Sequence, residues 1–311
     1  MPTIRQLKYV IKTVELGSIN EAAKQLFISQ PSLSNALKNI EEELNITIFQ
    51  RSGKWVSLTD EGVEFLTYAR QVLEQVALLE AKYHSNTKSK KLLSISCQHY
   101  AFAVHAFSQL VKTHDHIDEY EFTLRETETY NVFDDVATLR SELGIIFISE
   151  FNRKIFQKIF KEKHLNFTPL FQTEAHVFVS KNHPLAHKAQ LTLKELEQYP
   201  NLSYEQGHAH AFYFAEEVLS THFHKKTIKV SDRATIFNLM HGVNGYTLST
   251  GILSRHLNDE NVVSIPLNIK EIMTIGFLQH KQSHLSQGAI DYLTILKQHI
   301  AGYGFDILNK N

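Results

Sequence analysis

The chain has one cysteine, Cys97, in 311 residues, so it cannot close a disulfide within itself, as expected in a reducing cytoplasm. No apolar run approaches the roughly 20 residues that span a bilayer. Met1 to Arg5 lead directly into a helical pattern with no apolar leader segment, which again points to the cytoplasm and away from membranes. The sequence motifs of common enzymes are missing too: there is no G-x-G-x-x-G, no P-loop, no G-x-S-x-G and no H-E-x-x-H. Three H-x-H pairs (His114 with His116, His208 with His210, His222 with His224) stand out among the eighteen histidines. They fall in separate segments with no cysteine beside them, so neither a metal nor a cofactor is expected. Nor does either sign of charge dominate: 32 Lys and Arg face 33 Asp and Glu, a net of −1. Residues 1–91 carry +2 and the remainder −3. One copy would therefore gain little from counterion release on a polyanion, and tight binding would require linked copies.

What is present starts with residues 18–44, SINEAAKQLFISQPSLSNALKNIEEEL. Ser18 with Glu21 fits a capping box, and Ala22, Ala23 and Leu26 give the helix that follows a compact apolar face. Phe27 and Ile28 fall in the connection and are expected to plug the core beneath it. Ser29 caps a second helix with Pro31 in its first turn. Leu33, Ala36, Leu37, Ile40 and Leu44 form its apolar stripe. Its other face carries Gln30, Ser32, Ser34, Asn35 and Lys38, grouped toward the N-terminal half. Amides, hydroxyls and a cation at that end are what reading base edges in the major groove requires. A polar surface helix would instead be covered with Glu and Lys, as Glu41, Glu42 and Glu43 illustrate further along.

Residues 46–59, ITIFQRSGKWVSLT, read as a hairpin turning at Ser52-Gly53 with Arg51 and Lys54 beside its tip, suited to phosphate contacts. Ile4, Leu7, Val10, Ile11 and Val14 predict a first helix that Gly17 ends. Together, LKYVIKTVELGSINEAAKQLFISQPSLSNALKNIEEEL and IFQRSGKWVSLTDEG resemble the DNA-binding region of LysR-type transcriptional regulators, over about the first 85 residues. Thr59 caps a further helix reaching to about Tyr83, some 25 residues or roughly 37 Å long. Leu66, Ala69, Leu73 and Val76 form a narrow seam along it. That seam should pair with a second copy, and the resemblance implies that this helix forms the dimer.

From residue 92 the pattern alternates strand and helix, which predicts parallel sheet covered by helices. Strands are expected at LLSIS, EFTLRE, GIIFI, HVFVS, TIKV, GYTLS, VVSIP and MTIGFLQ, and helices at 102–111, 132–143, 212–219, 235–241 and 285–300. HPLA at 183–186, LTLKELEQYPNLSY and HGVNGYTLSTG are similar to the effector-binding half of the same family. The resemblance implies two α/β subdomains of periplasmic-binding-protein type. The expected division is a mainly α winged helix-turn-helix over 1–60, a linker and dimerisation helix over 61–84, a hinge over 85–91 and an effector-binding domain over 92–305. Within the last, the first subdomain takes 92–163 and 267–305, and the second 164–266.

In such sheets ligands bind beyond the carboxyl ends of strands. That places Ser96, Gln98, His99, Tyr100, Thr127, Thr129, Tyr204, His208, Ser231 and Thr250 around the cleft. The resemblance implies a small anionic metabolite held by hydroxyls, which Ser96, Thr127, Ser231 and Thr250 match by position. Gln98 and His99 stand where the family often has Thr or Ser, and His208 could donate a hydrogen bond to the ligand. Cys97 reads as a small packing residue, not a redox sensor. The family further implies a homodimer or homotetramer on paired promoter sites and RNA polymerase as a partner. The DNA-binding stretch is most similar to regulators of methionine and cysteine metabolism, which suggests an amino-acid precursor as effector. Two other readings are an α/β enzyme, which the missing motifs disfavour, and a solute-binding module with an accessory DNA-binding domain.

Overall fold

The computed structural model describes residues 1–52, 55–84, 91–115, 117–207, 212–253 and 261–308. The chain divides into two compact units, Met1–Ser89 and Lys90–Asn311.

In the first unit α1 (Ile4–Leu16), α2 (Ile19–Gln25) and α3 (Gln30–Leu44) surround Val10, Ala22, Ala23, Leu33, Leu37 and Ile40. The hairpin β1 (Phe49–Ser52) and β2 (Trp55–Leu58) pairs Ser52 with Trp55. Two polar contacts fix it to the helices. Gly17, left-handed at φ 60° as it ends α1, accepts a bond from the Val56 N–H. Glu41, predicted as solvent-facing, uses one carboxylate oxygen to accept from the N–H groups of Ile48 and Phe49, 2.8 and 3.0 Å away. The Thr59 hydroxyl accepts from the Gly62 N–H at the start of α4 (Asp60–His84). Ser18 accepts from the Glu21 N–H, which is half of the predicted capping box. Leu44 and Ile4, expected in the apolar stripes, are exposed because they lie past the last turns that neighbouring helices cover.

The second unit consists of two α/β subdomains. Its larger sheet has the order β4-β3-β5-β12-β6, formed from β3 (Lys91–Cys97), β4 (Tyr120–Glu126), β5 (Leu143–Ile148), β6 (Leu165–Glu174) and β12 (Ile272–His280). β3 runs parallel to β4 and β5, but β12 runs antiparallel to β5 and β6. The sheet is therefore mixed and not parallel as predicted, because β12 enters from the opposite subdomain. Packed on it are α5 (Ala101–Thr113), α6 (Thr129–Ala137), α7 (Glu150–Glu162) and α10 (Gln287–Gly302). The second subdomain has β7 (His176–Ser180), β10 (Thr247–Ser249) and β11 (Val262–Pro266), with β8 (Asn201–Tyr204) parallel to β9 (Thr227–Val230). A bridge between Asn201 and Tyr246 joins the two strand groups. α8 (Leu193–Leu196) and α9 (Arg233–Val243) complete it.

Several boundaries differ from the sequence reading. β6 still belongs to the first sheet, so the outward crossing falls at Ala175, not at 163. α6 begins at Thr129 and stops before Leu139, whose φ of 59° breaks the helix ahead of the predicted end at 143. The expected helix over 212–219 is one 3-10 turn, Phe212–Phe214. α7 was not predicted, although Phe156 and Phe160 fall on its buried face at a spacing of four. Of the proposed hinge, 85–90 lie outside the described residues, and Lys91 already begins β3.

Candidate nucleic-acid interface and effector cleft

At the start of α3 the Ser29 hydroxyl accepts from the Ser32 N–H (3.3 Å) and lies 2.7 Å from the Ser32 hydroxyl. Ser29 is therefore the predicted cap, and the Ser32 hydroxyl, expected on the reading face, is engaged with it at this end of the helix. Gln30, Pro31 and Asn35 are exposed, Ser34 is half-buried, and Lys38 is exposed with its ammonium 3.0 Å from Glu42. Phe27, expected in the core, is 95% exposed, because a left-handed backbone (φ 54°) turns its ring outward while Ile28 packs inward. β1 carries Arg51, whose side chain lies outside what is described, and Gly53 and Lys54, expected beside the hairpin tip, lie outside the described residues.

Along α4, Leu66 and Ala69 are buried within the single chain, where the helix packs on α1 and β2. They cannot be seam residues for a second copy, and this part of the predicted dimer face is corrected. Leu73 and Val76 are half-buried. Val72 and Leu79, seven apart, remain 46% and 57% exposed.

Between the two subdomains, side chains from both sides meet in a continuous network. The Gln98 amide donates to the Thr129 hydroxyl (2.6 Å) and its oxygen accepts from the Phe147 N–H (2.9 Å). The Thr129 N–H donates to Gln206 Oε1 (3.0 Å), and the Gln206 amide donates to Glu216 (3.1 Å). Glu216 also accepts from the His99 N–H at 2.8 Å, and His99 Nδ1 is 3.0 Å from both of its carboxylate oxygens. The His99 ring stacks on Tyr204 with centroids 4.0 Å apart. Arg233 at the start of α9 donates from Nε to Glu126 at the end of β4, 2.9 Å. Burial presses the His99 imidazole toward neutrality, but the hydrogen bond and charge of Glu216 outweigh it and raise its pKa. Burial, then the charge of Glu216, lifts the Glu217 carboxyl to about 8.

A small space of about 30 Å³ in this cleft is bordered by His99, Tyr100, Tyr204 and Thr250 from the predicted set. Glu216, Glu217, Arg233 and Thr247 join them and were not predicted. In sequence Glu216 and Glu217 look like any solvated acidic pair, and only the fold turns them inward. Ser96 is corrected: it is fully buried, donating to Asp135 (2.6 Å) and lying 2.8 Å from Ser141 beneath α6, away from the cleft. Gln98 and Thr129 brace the cleft wall from inside. The Thr127 hydroxyl accepts from Asn131 at 3.4 Å on the outer side, and Ser231 is exposed. Neither borders that space. His208 lies outside the described residues. Cys97 is fully buried, and burial followed by the charges of Glu126 and Glu216 raises its thiol well above the usual range, leaving it without nucleophilic character.

Residues 4–63 match the family model described as bacterial regulatory helix-turn-helix protein, lysR family, and residues 88–301 match the LysR substrate binding domain. The malolactic fermentation system transcriptional activator of Lactococcus lactis is 26% identical over 94% of this chain and 98% of its own length. The transcriptional regulator CysB of Burkholderia cenocepacia is 27% identical over 66% of this chain and 64% of its own. A solved structure of a Corynebacterium glutamicum OxyR mutant, 20% identical and covering 97% of this chain and 92% of that one, has the same fold at a TM-score of 0.51. The matched families are regulators and not enzymes. A reading helix beside a wing in one unit, and a two-subdomain effector fold in the other, agree with both matches. The chain belongs to the LysR family: it is a DNA-binding transcriptional regulator that responds to a small-molecule effector.

Proposed function

We propose that the protein acts in the cytoplasm as a homodimer or homotetramer on paired promoter sites, and that binding in the cleft between its subdomains changes how those sites are held. Gln30, Ser34, Asn35 and Lys38 read or approach base edges, Ser29, Pro31 and Ser32 set the helix end that presents them, and Arg51 and Lys54 contact phosphates. Reading belongs to 1–60, pairing to the outer face of the 61–84 helix, and sensing to the chain from about residue 92. The observation that supports this most is the exposed polar N-terminal half of α3, begun by a serine cap and a first-turn proline. The effector has to bind the two arrangements with different affinity, since equal binding shifts nothing. RNA polymerase is the downstream partner in this reading. A sulfur-amino-acid regulon and a precursor-type effector are its finest grain, supported by the likeness of the reading region and the relative named CysB. Fluorescence anisotropy on the promoter upstream of its own gene tests the core reading. The full chain is expected to prefer that duplex over a scrambled one at moderate salt, and equal binding to both would overturn it.

A further inference from the structure

The anion-holding groups of the cleft are already occupied by the chain itself. The N–H of His99, just past β3, donates to Glu216, and the N–H of Thr129, at the start of α6, donates to Gln206. Arg233 is held by Glu126. An arriving carboxylate would have to displace one of these internal partners and would meet Glu216 and Glu217 besides. What the cleft leaves open is of the opposite character. Glu217 is buried, its described hydrogen bond from another residue is the one from the Tyr204 N–H (2.9 Å), and no cation among the described residues stands at ion-pair distance from it. Two hydroxyls bordering the same space, Tyr100 OH and Thr247 Oγ1, have no hydrogen-bond partner among the described residues, although these residues are only 4% and 5% exposed. Buried polar groups left unmatched in this way are rare and call for a ligand or water. Beside them lie Phe178, Ile236, Met240 and Ile252, an apolar wall.

We propose that the effector is a small organic cation, whose ammonium group pairs with Glu217, whose polar remainder meets Tyr100 and Thr247, and whose carbon skeleton lies on that wall. This rests on the reading of the cleft as the effector site. In the unliganded protein a carboxyl raised to about 8 is neutral at pH 7. Pairing with an ammonium favours its ionised form, so binding below that pH expels one proton. The space of about 30 Å³ admits little more than a water, so in this proposal the cleft widens as the ligand enters, which couples occupancy to shape. Glu216 on the same segment, His99 after β3, Glu126 on β4, Lys229 on β9 and Arg233 on α9 also face this region. His99, and His222 and His224 on the far side of Glu217, are separated from it by the substitution below.

The test uses the full-length protein and two probes of one skeleton, isopentylamine and isovalerate, by thermal shift and calorimetry at concentrations to ~20 mM. The amine is expected to raise Tm and isovalerate to leave it unchanged. Amine affinity should rise by roughly tenfold per pH unit below about 8 and level off above, with proton release seen in buffers of different ionisation enthalpy. Glu217→Gln keeps the acceptor for Tyr204 and should weaken amine binding by about tenfold or more while removing the pH slope. Absence of amine binding, or amine binding whose strength and slope survive in Glu217→Gln, overturns the proposal. Ser249→Trp, which fills the cleft, separates this from the underlying reading. If isovalerate alone binds and Ser249→Trp abolishes it, the cation is wrong and the cleft stands. If either probe still binds Ser249→Trp unchanged, both are wrong.

Discussion

Asn35 and Lys54 differ in what each can know about a DNA sequence. An exposed amide on a reading helix can bond bidentately to a base edge, whereas the role proposed for Lys54 is a phosphate contact, which carries no sequence information. Asn35→Ala is expected to lose about 1–3 kcal/mol of discrimination between operator and random duplex, whereas Lys54→Ala should weaken both alike and flatten the salt dependence. Competition binding at two salt concentrations separates them, and equal losses on both duplexes for Asn35→Ala would remove it from the reading set. A second residue-scale effect concerns stability. Glu217 has a carboxyl raised from 4.5 to about 8, so the folded state holds a proton that the unfolded chain releases earlier. Stability linked to that proton is complete below about 4.5 and is lost as pH rises through 8. The Gln variant has no proton to lose there, so wild type should fall behind it by up to about 1.4 kcal/mol per pH unit in that window. Denaturation of both proteins across the window, with a constant gap between them, would show that Glu217 is not buried in this way.

α4 must start within reach of the segment leading into β1. A Cβ at Gly62 would lie 2.1 Å from the Ile48 carbonyl oxygen, which itself accepts from the Thr59 N–H at 3.1 Å. Backbone cannot yield there as a flexible side chain could, so Gly62→Ala should destabilise the first unit by roughly 2 kcal/mol or more. Thermal unfolding would show it as an earlier transition, with Gly242→Ala, where nothing lies within 4 Å, as the neutral control. Further along the same helix, Val72 and Leu79 are the exposed positions one heptad apart. Leu79→Glu should shift the oligomer toward monomer and weaken operator binding with it. Analytical ultracentrifugation with an unchanged assembly would move the pairing surface elsewhere. The aromatic ring of Phe27 shows why turns resist sequence reading. Large and apolar, it fits a core pattern, yet a single left-handed residue reverses which of two neighbours is inside.

At the scale of the molecule, a net charge of −1 and a first segment of +2 mean that one copy has little ionic pull on DNA. In the proposed function affinity comes from joining reading units, and sensing from altering how they are joined. The expected signature is a steep loss of operator binding on dilution below the oligomer's own dissociation constant, with a weaker loss for a pre-joined dimer. Coincident curves for the two would sink this account. The cleft network in the second unit ties the two subdomains of the sensing half together, since His99, Thr129 and Glu126 on one side each bond to the other.

The sequence by itself determined the elements whose signals are local. The serine cap and first-turn proline placed α3, periodicity gave its buried stripe of Leu33, Leu37 and Ile40, and the contiguous match of its first 85 residues indicated the family. Tyr204 and His99 were legible as cleft residues because strand ends in α/β units face ligands. Only the tertiary structure decided the rest. It assigned Ser96 to an interior hydroxyl network, gave Leu66 and Ala69 to their own unit, reversed β12 within the sheet, and turned Glu216 and Glu217 toward the space between subdomains. Each of these depends on which segment, remote in sequence, lies across from a residue, and periodicity carries information about a chain's faces but none about what covers them.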